Sequence, residues 1–192
     1  GRTADHPISS LFLERWSPRA FDGQPVPEAD LMTMLEAARW APSSSNVQPW
    51  RFLYAINGRP HWEGFLTLLN EGNRAWCKDA GALLVLVSES IRHVPDKGEV
   101  RSYTHSLDAG CAWGFLALQA TMMGYHAHGM AGFDKERAAR DLGVPDTYRV
   151  EAMIAVGRRA DPATLSEALR AREQPNTRRP LAETVIEGGF RA

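Results

Sequence analysis

Apolar residues recur three and four apart at Leu31, Met34, Leu35 and Ala38, just after Pro27, Glu28 and Asp30, which predicts an amphipathic helix opened by proline. A shorter helix is predicted upstream, starting at Asp5 and Pro7, carrying Leu11, Phe12 and Trp16, and ended by Pro18. "WRFLYAI" (50–56) is rich in aromatic and branched residues and reads as a strand. Residues 59–78 are weakly helical, punctuated by Gly64 and Gly72. "ALLVLVS" (82–88) is almost continuously apolar, the pattern of a central strand buried on both faces. The charged segment 89–101, with Pro95 and Gly98, reads as an exposed loop.

The longest helix is predicted over 102–123, where Gly110, Ala112, Gly114 and Ala117 are small enough for another helix to approach closely. A short strand (125–130), a helix capped by Asp134 and ended at Gly143, and a strand at 148–157 complete the ordered part. From Arg158 onward the chain is polar and interrupted by proline, with too few apolar residues to fold alone. It is expected to run over a surface, its own or a partner's. No repeat or linker divides the chain, so one domain over 1–192 is expected, of α+β class, with one layer of strands surrounded by helices.

Composition narrows the function classes. A net charge of −1 and a pI near 6.7 give no electrostatic case for nucleic acid or an anionic membrane. No apolar run approaches the ~20 residues of a membrane span, and the opening "GRTADHP" lacks the features of a secretory signal. Cys77 and Cys111 have neither disulfide-framework nor zinc spacing, so a reducing cytoplasm is the expected compartment.

Four stretches could carry chemistry. "RWSPRAF" (15–21) places Arg15, Ser17 and Arg19 around Pro18, which forbids regular helix; a kinked segment could aim all three at a phosphate. The same spacing fits two solvated arginines. "APSSSNVQPW" (41–50) is an uncharged loop bracketed by prolines and tryptophans, with no G-x-S-x-G elbow to make a serine nucleophilic. His126 and His128 alternate on a strand and face the same way. Without a third ligand they read better as outward polar residues than as a metal site. In "AGFD" (131–134) a glycine lies between strand and helix, where a ligand can approach backbone N–H groups, and Arg178 with Arg179 form a second basic pair in the tail.

The ordered set "RWSPRAFDGQPVPEADLMTMLEAARWAPSSSNVQPWRF", "NRAWCKDAGALLVLV", "MAGFD", a "VG" closing the last strand, and "RRPLAE" resembles the FMN-dependent nitroreductase family over nearly the whole chain. The resemblance implies an α+β sandwich with a mostly antiparallel central sheet. It also implies a homodimer with two FMN sites at the interface and a tail wrapping the partner. Arg15, Ser17 and Arg19 would then bind the FMN phosphate and ribityl side, joined by Arg178 and Arg179. Pro42, Ser43, Ser44 and Asn46 would touch flavin held mainly by the other subunit, with Gln48 and Trp50 supporting the loop. Asn73 would meet the pyrimidine edge and the Gly132 backbone N–H the flavin N5, with no side-chain acid, base or nucleophile and no metal. Two positions depart from the family: Trp76 stands where many relatives have lysine, leaving Arg74 as the nearby cation, and Ala131 stands where glutamate is common.

The implied activity is reduction of an electron-poor small molecule, a nitroaromatic or quinone, at the expense of NAD(P)H by a ping-pong mechanism. The same fold is compatible with dehalogenation, enone or semialdehyde reduction, flavin fragmentation or flavin storage. Lid residues deciding among these are expected within 60–72 or 89–105.

Overall fold

The structure is a computed structural model that describes residues 1–190; the last two residues of the expected tail, 191–192, lie outside it. In chain order the elements are α1 (Leu11–Glu14), α2 (Glu28–Arg39), β1 (Trp50–Ile56), α3 (Trp62–Leu66), α4 (Glu71–Cys77) and β2 (Ala82–Glu89). There follow β3 (Ile91–Val94), β4 (Gly98–Arg101), α5 (His105–Met122), β5 (His126–Met130), α6 (Lys135–Asp141), β6 (Tyr148–Gly157) and α7 (Glu167–Arg170). The main sheet runs β1-β2-β6-β5 with every pair antiparallel. The fold is α+β, as the pattern of strands and helices predicts.

β2 explains the layering. Its side chains alternate between faces, and both faces are apolar. Leu83, Val85 and Val87 point into a core with Phe65 of α3, Trp76 of α4 and Met153 of β6. Leu84 and Leu86 point the opposite way, toward Leu31 and Met34 of α2 and Ala112 and Leu116 of α5. The sheet is therefore the filling between two helical layers. Opposite Leu86 and Val87 the β6 register slips, leaving Glu151 without a partner across the ladder. Such a bulge re-aims the side chain: the Glu151 carboxylate accepts hydrogen bonds from Ser88 (2.6 Å) and Ser106 (2.7 Å), tying the start of α5 to the sheet.

Three expected elements differ. The first helix is a single turn, Leu11–Glu14, because Arg15 already has extended backbone (ψ 121°) and Pro18 disfavours helical conformation at the residue before it. The weakly helical stretch splits into α3 and α4, since the Asn70 side chain accepts from the Asn73 N–H and starts a new helix there. The segment taken as an exposed loop contains the hairpin β3–β4, turned at Asp96 and Gly98, which both take positive φ (65° and 70°). Its strands alternate charged with apolar residues too sparsely for the period to stand out.

Candidate functional site

The lost helix at residue 15 builds the first part of the site. Extended backbone sends alternate side chains to opposite sides. Trp16, Pro18 and Ala20 are buried, while Arg15, Ser17 and Arg19 are half-buried on the other side. Those three line a cavity of about 200 Å³ together with Arg2, Trp16, His128, Gln174, Asn176 and Arg178. Four guanidinium groups from three separate stretches of chain thus converge on one small polar space. Arg15 has its ordinary value lowered by burial first and then by the repulsion of Arg2 and Arg178; Arg2 is lowered by burial and then by Arg178. Among the described residues, the Arg15 guanidinium and the Ser17 hydroxyl make no hydrogen bond, and Arg19 has only a distant ion pair, 3.9 Å from Glu173. Donors and positive charge are in excess, which is the chemistry of a site for a phosphate dianion.

His128 reaches this cavity from β5. Its Nδ1 lies 2.9 Å from the Pro18 carbonyl oxygen, which can only accept, so Nδ1 carries the proton and Nε2 the lone pair. Trp76 lies beneath it, 2% exposed, with ring centroids 4.7 Å apart. The tryptophan at the family's lysine position is therefore a core residue supporting the cavity floor. Arg74 does not take the lysine's place freely either: its guanidinium donates to the Leu69 (2.8 Å) and Thr67 (3.3 Å) carbonyls at the end of α3.

The histidines are not outward-facing as the strand pattern suggested; both are partly buried against residues 16–18 and Trp76. No cluster of metal-ligating groups occurs among the described residues. Both imidazoles sit below the ordinary value near 6.5: burial is the main cause, reinforced at His126 by Arg159 and Arg15, while at His128 the Pro18 carbonyl partly opposes it. They are neutral in the fold, so on acidification the unfolded chain takes up protons first and stability falls as pH drops below the unfolded value. Thermal midpoints in phosphate-free buffer should be lower at about pH 5.5 than at about pH 7.5, and the gap should narrow in H126F. An unchanged gap in that variant would contradict the assignment.

The second part of the site is the end of β5. The Gly132 carbonyl accepts from the Asn70 N–H (3.2 Å) and from the Asn73 side-chain amide (3.0 Å). Its own N–H has no partner among the described residues. Asn73 and Gly132, expected at the same ligand, are thus hydrogen-bonded neighbours, while Ala131 beside them is exposed. A Cβ on Gly132 would stand 2.5 Å from Asn70 Nδ2 and 2.7 Å from Asn73 Nδ2. G132A should therefore displace the Asn70 cap and cost about 1–3 kcal/mol in urea unfolding; a change below about 0.5 kcal/mol would show that the close approach is not tight.

The third part, the loop between α2 and β1, stands apart. Pro42, Ser43, Ser44 and Asn46 share neither cavity nor hydrogen bond with the arginines. Ser45, Asn46 and Gln48 all take positive φ (49°, 54° and 52°), each a strain of roughly 1 kcal/mol or more for residues with a Cβ. The loop is held by the Ser43 hydroxyl accepting from the Gln48 N–H (3.0 Å), and by buried Asp108 of α5 accepting from the Ser44 N–H (3.3 Å). Gln48 donates from its side chain to the Asn46 carbonyl within the loop (3.1 Å), and Trp50 is buried in the core shared with α2 and α5. Arg179 faces a neighbouring groove of about 600 Å³ between the N-terminal segment and the tail, whereas Arg178 lines both spaces. Arg2, His128, Gln174 and Asn176 were not foreseen; single residues without a local motif, they become visible only when distant segments meet.

The sequence profile of the nitroreductase family matches residues 13–61 and 57–158. A crystal structure of an oxidoreductase containing FMN is 48% identical and superposes with a TM-score of 0.97, covering 99% of this chain and 96% of that one. An NADH dehydrogenase of Thermus thermophilus is 29% identical over 202 residues, 91% of this chain and 92% of its own. A Streptomyces coelicolor protein named NADH dehydrogenase/NAD(P)H nitroreductase is 28% identical over 170 residues, 80% of this chain and 84% of its own.

Proposed function

The chain belongs to the nitroreductase family, and from that premise we propose that it is an FMN-dependent oxidoreductase that takes electrons from NAD(P)H and reduces an electron-poor small molecule such as a nitroaromatic or quinone. The observation that carries the reading is the cavity where Arg15, Arg19, Arg178 and the free Ser17 hydroxyl gather beside Arg2, whose own guanidinium is held by main-chain carbonyls. The residues fit FMN at both ends. Guanidiniums and a hydroxyl suit its phosphate, and the Gly132 N–H and Asn73 amide suit a flat ring edged with nitrogen and carbonyl groups.

When bound, FMN supplies a ring that accepts a hydride from NAD(P)H and returns two electrons to the acceptor. The chain's own residues position and tune it. Arg15, Ser17, Arg19 and Arg178 would hold the phosphate; the Gly132 N–H would offer the ring a fixed backbone donor. Buried Trp76 and neutral His128 form an uncharged floor. The reading invokes no side-chain acid, base or nucleophile.

A homodimer completes the account. α5 turns the exposed residues Leu107, Phe115 and Met122 outward, with Tyr103 just before it. Cβ atoms on Gly110 and Gly114 would meet nothing within the chain. An apolar helical stripe with glycines at its centre suits close packing against a second copy. The strained loop 42–48, which α5 holds through Asp108, would then reach the partner's flavin. No helix among the described residues is long and apolar enough to cross a membrane, and the free thiols Cys77 and Cys111 accord with a reducing cytoplasm.

Steady-state rates with the donor varied at several acceptor concentrations test the reading. Parallel double-reciprocal lines are expected if donor and acceptor use one space in turn; intersecting lines would reject the ping-pong scheme.

A further inference from the structure

Glu173 is the one residue of 171–180 that is not exposed, and its side chain is 1% accessible. It lies just after α7, in a tail that is otherwise polar and loosely attached. One carboxylate oxygen accepts two consecutive backbone N–H groups, from Arg19 (2.7 Å) and Ala20 (2.9 Å). These N–H groups need an outside acceptor because Pro18 interrupts regular structure there. The second oxygen is buried, lies 3.9 Å from the Arg19 guanidinium, and has no hydrogen-bond partner.

The tail leaves this anchor with an alternation of its own: Gln174, Asn176 and Arg178 all line the arginine cavity. Beyond Glu173, the first contact fixing the tail to the site is the Asn176 carbonyl, which accepts from Arg2 Nε (2.8 Å). The carboxylate therefore joins the two halves of the cavity, the turn carrying Arg15, Ser17 and Arg19 and the strand-like tail carrying Arg178. It also sets a buried carboxylate beside the Arg19 guanidinium, in a cluster where Arg2, Arg15 and Arg178 repel one another.

We infer that Glu173 is a positioning residue for the phosphate end of the site, setting affinity for a flavin phosphate without touching the ligand. This rests on the FMN reading above. The carboxylate occupies the backbone N–H pair that would otherwise compete for the anion, leaves the arginine side chains and Ser17 free for it, and holds Arg178 within reach. Its removal should therefore weaken recognition of the phosphate and spare recognition of the ring.

Affinities for FMN and for riboflavin, which lacks the phosphate, separate these contributions when measured by equilibrium fluorescence titration of wild type, E173A, E173D and E173Q. E173A should lose about tenfold or more in FMN affinity, while riboflavin affinity stays within about twofold. E173D keeps the charge but is one methylene too short to serve both N–H groups, so it should lose FMN affinity selectively even if E173A fails to fold. E173Q keeps a carbonyl oxygen for both N–H groups and should preserve most of the preference for FMN. Parallel losses for both flavins in E173D, or unchanged FMN affinity in E173D and E173A, would overturn the inference. A wild-type protein that binds riboflavin as tightly as FMN would overturn the phosphate reading itself as well.

Discussion

The double variant R15A/R19A is expected to purify without flavin and to lose FMN affinity by about a hundredfold or more, since each charge-assisted hydrogen bond to a phosphate is worth roughly 1.5–3 kcal/mol. Both side chains line the same cavity and neither is committed to a close protein partner. The single variant R15A supplies a control on stability. Arg15 is already disfavoured as a cation by burial and by Arg2 and Arg178, so deleting its charge relieves repulsion, whereas Arg19 also faces the buried Glu173 carboxylate. The thermal midpoint of flavin-free R15A should equal or exceed that of flavin-free wild type. Undiminished FMN binding in the double variant would refute the phosphate assignment, and a lowered flavin-free midpoint in R15A would mean that Arg15 serves the fold.

G114R is expected to convert the protein to a monomer in sedimentation velocity and to reduce bound FMN in parallel. Within one chain a side chain at Gly114 meets open space, and arginine raises intrinsic helix stability over glycine by up to about 1 kcal/mol. The isolated subunit should therefore be at least as stable as before. What changes is the stripe of Leu107, Phe115 and Met122, which would acquire a charge on the face proposed to pack against a second copy. The parallel loss of flavin follows from the loop 42–48. It shares no cavity with the arginines of its own chain, and its positive-φ residues, held in place through Ser43 and Asp108, present an exposed surface. A dimer surviving G114R would remove α5 from the interface; a monomer with full flavin content would remove the loop from the site.

Local pattern carried most of the fold. β1 and β6 coincide with their predicted bounds, and β2 and α5 differ from theirs by a few residues at most, because each is a long run with one dominant period or a continuous apolar face. Proline chemistry foretold the kink at Arg15–Arg19, although the sharper consequence, an alternating extended segment with Trp16 inward and the arginines outward, needed the packed core to choose a side. The failures were of two kinds, local signals too weak to stand out and contacts between distant segments. The hairpin β3–β4 has alternation diluted by charge, and the break at Asn70 depends on one side-chain cap. His126 and His128 were read as outward because two polar residues on a strand usually are, yet segment 16–18 folds over them. Arg2 and Glu173 join stretches more than 150 residues apart, and no periodicity can encode such a meeting. Trp76 shows the reverse limit: the residue that the family resemblance set beside the ligand is, in the structure, a core side chain.

The most direct test of the account is the visible absorption spectrum of the protein saturated with FMN, recorded anaerobically before and after NADH or NADPH is added. The account predicts the bound oxidised-flavin absorption at the start, its bleaching by at least one of the two donors, and its return when a quinone or nitroaromatic is added. Protein that takes up no flavin, or bound flavin that stays oxidised with both donors, would contradict it.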